Sequence, residues 1–100
     1  MTNLRKIAER LDAPELLTQL AEEASELVQA ALKLRRALTG TNPTPTPPSK
    51  AMTDLVEEIA DVENVIHVVG EVLPISWSMV ADIGERKLRR WAKRLEDRHG

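Results

Sequence analysis

The chain has 100 residues, 30% of them charged, a formal net charge of −2 and no cysteine. Disulfides, thiolate metal sites and a cysteine nucleophile are excluded, the whole-molecule field gives no strong pull toward nucleic acid or an anionic membrane, and no apolar leader or bilayer-length apolar run is present, so a cytoplasmic protein is expected. Phe and Tyr are absent, so the core of this single small domain, residues 1–100, must be Leu, Val, Ile and Ala with two Trp, a composition that favours helices packed on helices.

Leu4, Ile7, Ala8 and Leu11 recur at helical spacing and predict a first helix from Asn3 to about Leu11, capped by Thr2 or Asn3. Pro14 ends it, because the residue before a proline is pushed out of the α region, and then suits the first turn of a second helix, where its missing N–H costs little. That helix is expected over about Pro14 to Leu38. Its apolar stripe is Leu17, Leu20, Ala24, Leu27, Ala31, Leu34 and Leu38, with Lys33, Arg35 and Arg36 near its negative end and Gly40 as its stop. Residues 39–49 read TGTNPTPTPPS, four of the chain's six prolines with no hydrophobic residue, and predict an extended connector, either a spacer between antiparallel helices or a lid over a site.

A third helix is expected from Lys50 or Thr53 to Leu73, with Leu55, Ile59, Val62, Ile66, Val69 and Leu73 as one stripe and Val65, Val68 and Val72 as a second. Two covered sides suit a central helix or one at a subunit interface, and at this size a chain buries only roughly 60 to 65% of its unfolded surface. A homodimer or homotetramer is therefore expected. Pro74 interrupts, Ser76 can cap, and a fourth helix follows to about Asp97, with Trp77, Val80, Gly84, Trp91 and Leu95 on an apolar face and Arg86, Lys87, Arg89, Arg90, Lys93 and Arg94 around the rest. The two Trp are expected in the core. The architecture expected is all-α, a four-helix bundle with long antiparallel second and third helices.

Both long helices carry acidic clusters, Glu22-Glu23-Ala24-Ser25-Glu26 and Glu57-Glu58-Ile59-Ala60-Asp61. Residues three apart on a helix are neighbours on one face, so Glu23 with Glu26 and Glu58 with Asp61 are carboxylate pairs, and side by side they make four oxygen donors. Glu23 flanks the apolar stripe most closely and Glu22 is the most solvated. The positions four residues on from Glu22, Glu23, Glu57 and Glu58 are Glu26, Leu27, Asp61 and Val62, so ion pairs within the helix are forgone. Carboxylates held together repel and raise one another's pKa, which calls for a compensating cation, magnesium first.

AEEASELVQAALKLRR followed after a loop by LVEEIADVENVI resembles the MazG-like, all-α nucleoside triphosphate pyrophosphohydrolases, whose pattern is E-E-x-x-E on one helix and E-x-x-D on the next. The resemblance covers residues 14–97 as an arrangement of helices. It implies that Glu23, Glu26, Glu58 and Asp61 coordinate Mg²⁺, one ion or more, with Mn²⁺ able to substitute, and that Glu22 is a supporting or a water-orienting carboxylate. It also implies cleavage of a nucleoside triphosphate between its α and β phosphates to a monophosphate and pyrophosphate. Lys87 and Arg90, one turn apart, are candidate cations for the leaving pyrophosphate, and Asn64, three residues beyond Asp61, is a candidate ligand for base, sugar or water. Two other readings stay open: a non-catalytic helical interaction module of the same fold, and a nucleic-acid binder using Arg86 to Arg94, which ranks last at this net charge.

Overall fold

The computed structural model describes residues 1–41 and 46–99. Among them the chain forms four helices and no strand: α1 Asn3–Ala8, α2 Ala13–Thr39, α3 Pro48–Val72 and α4 Trp77–His99. No helix among the described residues is long and apolar enough to cross a membrane. The middle of the expected connector, residues 42–45, lies outside the described residues.

Local chemistry places the boundaries. The Thr2 hydroxyl accepts from the Arg5 backbone N–H and caps α1, which is shorter than expected, ending at Ala8. Asp12 opens α2 with a reciprocal pair of bonds, its Oδ1 accepting from the Glu15 N–H at 2.8 Å and Glu15 Oε1 from the Asp12 N–H at 3.2 Å. Gly40 stops α2 in the left-handed region, φ 70°. α3 begins at Pro48, earlier than expected, because proline is tolerated in the first turn; Thr53 lies inside the helix, its hydroxyl donating to the Ser49 carbonyl. Ser76 Oγ accepts from the Met79 N–H at the start of α4.

α2 and α3 form an antiparallel hairpin, and α1 folds back onto the far end of α3, where Arg5 meets Glu71 at 3.5 Å. The best-buried cluster is Leu16 of α2 with Val68 and Val69 of α3, flanked by Leu4, Ala8, Leu11, Val65, Val72 and Leu73. The valine strip expected between copies is therefore largely covered by the chain's own α1. The buried and half-buried side of α2 is Leu16, Leu20, Glu23, Leu27, Ala30, Leu34 and Ala37. This seam is rotated from the expected one, leaving Leu17, Ala24, Ala31 and Leu38 exposed. The opposing seam of α3 is Ala51, Leu55, Glu58, Val62, Val65, Val69 and Val72, while Ile59 and Ile66 face outward.

α4 packs along none of the other helices. It is tethered at its root, where the Trp77 ring sits on Gly70, so closely that a Cβ there would collide with it, and tilts against His67 with ring centroids 5.6 Å apart. Within one chain, then, the structure is a three-helix unit with a projecting fourth helix rather than a closed four-helix bundle. Trp77 and Trp91 are exposed, not core residues.

Candidate metal centre

Each seam of the hairpin carries one glutamate where its neighbours are aliphatic: Glu23 between Leu20 and Leu27, Glu58 between Leu55 and Val62. Heptad-like steps of three and four bring both carboxyl groups inward. Together with Glu26, one turn beyond Glu23, they can each offer an oxygen so that all three lie within 4.8 Å of one another. Glu23 and Glu58 are half-buried and Glu26 is exposed. Oε2 of Glu23 and Oε2 of Glu58 are both buried without a hydrogen-bond partner among the described residues. Orphaned buried carboxylate oxygens are costly, and a hard cation satisfies them directly.

Gln19 Nε2 donates to Glu23 Oε1 at 2.8 Å, orienting the carboxylate from one turn before it. Burial first, then the charge of Glu26 and to a smaller extent that of Asp61, push the Glu23 carboxyl above the ordinary carboxylate value, against the pull of the Gln19 bond. Asp61 is exposed and stands outside the three-oxygen group, though its charge reaches Glu23. Glu23 is the most buried of the first cluster, as expected, half-buried where Glu22 and Glu26 are both exposed. Glu22 lies toward a shallow depression shared with Thr18, Ser25, Glu26 and Gln29. Asn64 is exposed on α3.

A cavity of about 340 Å³ opens beside the glutamates, lined by Glu26, Gln29, Ala30, Lys33, Asp54, Glu57 and Glu58. Lys33 is the cation among the described residues that line it, and its Nζ meets Asp54 Oδ2 at 3.4 Å across the hairpin. Lys50 approaches Asp54 Oδ1 at 2.8 Å, and these two contacts, Lys50 foremost, hold the Asp54 carboxyl below its ordinary range despite some burial. Sequence reasoning gave Lys33 only a role at the helix end. The available signal was its spacing, seven residues beyond Glu26 and so on the same side of α2.

Lys87 and Arg90 are not brought to the carboxylates by their own chain, because α4 does not pack on α2 or along α3. They line a separate cleft of about 230 Å³ with Ile83 and Arg86.

In comparisons with known proteins, no family model, curated protein or solved structure matches this chain.

Proposed function

We propose that the chain is a magnesium-dependent nucleoside triphosphate pyrophosphohydrolase of MazG-like type, converting a ribo- or deoxyribonucleoside triphosphate to the monophosphate and pyrophosphate. The observation that carries this reading is the pair of seam glutamates, each with a buried oxygen that has no hydrogen-bond partner among the described residues, converging with Glu26 beside a cavity lined by a lysine. The donor set fits magnesium: all oxygen, anionic, and with room for water and phosphate oxygens. The motif resemblance supplies the substrate class.

In this reading Glu23, Glu26 and Glu58 hold the metal and Asp61, one turn beyond Glu58, completes the set. Magnesium held by these carboxylates would lower the pKa of a bound water and offset the charge of phosphate oxygens. Glu22 orients the attacking water from the exposed flank. The water oxygen bonds to the α-phosphorus and passes its proton to the Glu22 carboxylate while the bond to the bridging oxygen breaks, and pyrophosphate leaves with the electron pair. Lys33, at the cavity wall, is the cation placed to hold the β or γ phosphate, exchanging its contact with Asp54 for one with substrate. Asn64 is left as the candidate contact to sugar or base.

The test is a panel of ribo- and deoxyribonucleoside triphosphates incubated with magnesium and with chelator, the products being resolved. Monophosphate and pyrophosphate appearing only with magnesium, and lost in Glu23→Gln and Asp61→Asn with helix content intact, are expected. The exposed apolar surface of the hairpin and α4 favours a second reading, a non-catalytic interaction module; no turnover across the panel and no thermal shift with magnesium would select it.

A further inference from the structure

We propose that two copies of this chain exchange their C-terminal helices, the apolar stripe of each α4 lying on the outer face of the other's α2–α3 hairpin. The first support is area. A folded monomer of 11.2 kDa exposes roughly 5,700 Å² by the scaling of surface with mass, whereas this chain exposes 7838 Å². The excess, about 2,100 Å², is well above the ~800 Å² that each partner contributes to a standard interface. The radius of gyration agrees, 17.4 Å against about 13 Å for a compact chain of this length.

The second support is complementary pattern. On the hairpin, the side of α2 and α3 turned away from the carboxylate cavity is apolar and exposed, with Leu17, Val28 and Leu32 on α2 and Met52, Val56 and Ile59 on α3; Val28 and Val56 are each 57% exposed. On α4, Val80, Leu88, Trp91 and Leu95 recur in steps of three, four or eight, and Leu88 and Trp91 are 59% and 58% exposed. Leu17 to Leu32 and Val80 to Leu95 are each about 22 Å long at the helical rise. Gly84 lies in the same stripe, and apart from its own turn of helix nothing among the described residues comes within 4 Å of where a Cβ would stand.

Charge is the third support. Seven of the 14 basic residues but four of the 16 acidic ones lie on α4, so the helix is net positive and the remainder of the chain net negative. A second copy therefore offers α4 both an apolar bed of matching length and the opposite charge. Reciprocal exchange closes a two-fold dimer and leaves no unpaired stripe. Because the bed and the carboxylate cavity are on opposite sides of the hairpin, the inference does not rest on the hydrolase reading and is tested without turnover.

Sedimentation velocity of the wild type should show a dimer. Two variants, Val56→Lys with Ile59→Lys on the bed and Leu88→Glu with Trp91→Glu on the stripe, should each be monomeric with helical circular dichroism retained. Mixed together they should recover a dimer, because one unaltered stripe-to-bed contact survives in the mixed pair. A dimeric Leu88→Glu/Trp91→Glu variant, or a mixture that stays monomeric, would overturn the exchange. Should either variant lose its helices, dilution of the wild type decides: tryptophan emission shifts to longer wavelength as the dimer dissociates, and constant emission with constant monomer mass overturns the proposal. So does a monomeric wild type whose α4 binds phosphatidylglycerol vesicles instead.

Discussion

Metal binding at the glutamates should appear as stability before it appears as turnover. Without a cation, Glu23 and Glu58 each bury a carboxylate oxygen that no group among the described residues satisfies, so the apo hairpin carries a local penalty at its centre. The proposed magnesium site exists only where the two helices are paired, so at about tenfold its dissociation constant the ion should stabilise the fold by about 1.4 kcal/mol. For a domain of this size ~1 kcal/mol moves the melting temperature by about 4–8 °C, so a rise of about 6–11 °C is expected. Glu23→Gln removes one negative charge while keeping a group that can still accept from Gln19. Its apo form should melt at the wild-type temperature or above, and its magnesium response should shrink to a degree or two. Differential scanning calorimetry in magnesium and in chelator reads both quantities. An apo variant that melts well below the wild type, with the magnesium shift intact, would refute the metal-centre reasoning and make Glu23 a structural residue.

The pH dependence of apo stability has a definite sign. Because the Glu23 carboxyl is raised above 4.5 in the fold, its stabilising contribution is full below 4.5 and lost as pH rises through the folded value; urea midpoints of the apo protein should therefore increase on acidification from neutrality toward 4.5, and the Glu23→Gln profile should be flatter there. The Asp54 carboxyl is lowered from 3.8, so its contribution is present above 3.8 and lost as pH falls through its folded value, and Asp54→Asn should remove that part of the acid limb. Lys33→Met, which keeps the stem but not the charge, should lower kcat/KM for a triphosphate about 10- to 100-fold, the scale of one charge-assisted hydrogen bond, mainly through KM; an unchanged KM removes Lys33 from substrate binding. Leu16→Ala empties the centre of the cluster that joins α1, α2 and α3 and should cost about 2–5 kcal/mol in chemical denaturation, whereas Leu17→Ala on the open face should change the stability of the monomer little.

Much of the helical layout was legible in the sequence because punctuation is local: Thr2, Pro14, Gly40 and Ser76 act within a turn of where they stand. The rotation of the α2 seam was not. Leu17, Ala24, Ala31 and Leu38 form as good a stripe as Leu16, Leu20, Glu23 and Leu27, and hydrophobic periodicity alone votes against a seam with a glutamate in it. The seam that forms has Leu16 against Val68 and Val69, a long-range contact that no local pattern encodes. The same ambiguity hid the open face, since a helix apolar on two sides looks from sequence like one broad stripe. The adjacency of Glu23 and Glu26 was readable from spacing on one helix, but the approach of Glu58 without Asp61, and of Lys33 to Asp54, required the pairing of α2 with α3. Among the described residues α4 packs along no helix of its own chain, so periodicity could supply its stripe but not a place for it.

The two seam glutamates have a consequence for how the hairpin finds its alignment. An otherwise aliphatic pair of seams is degenerate: Leu, Ala and Val fit one another nearly as well after a slide of seven residues. A slide would set each carboxylate among aliphatic side chains with no second carboxylate to share a cation, so only one alignment brings the charges to a common point. The carboxylates thus act as a vernier mark on an otherwise smooth scale, and a divalent ion held at the proposed site would lock the helices at the alignment in which the cavity also exists.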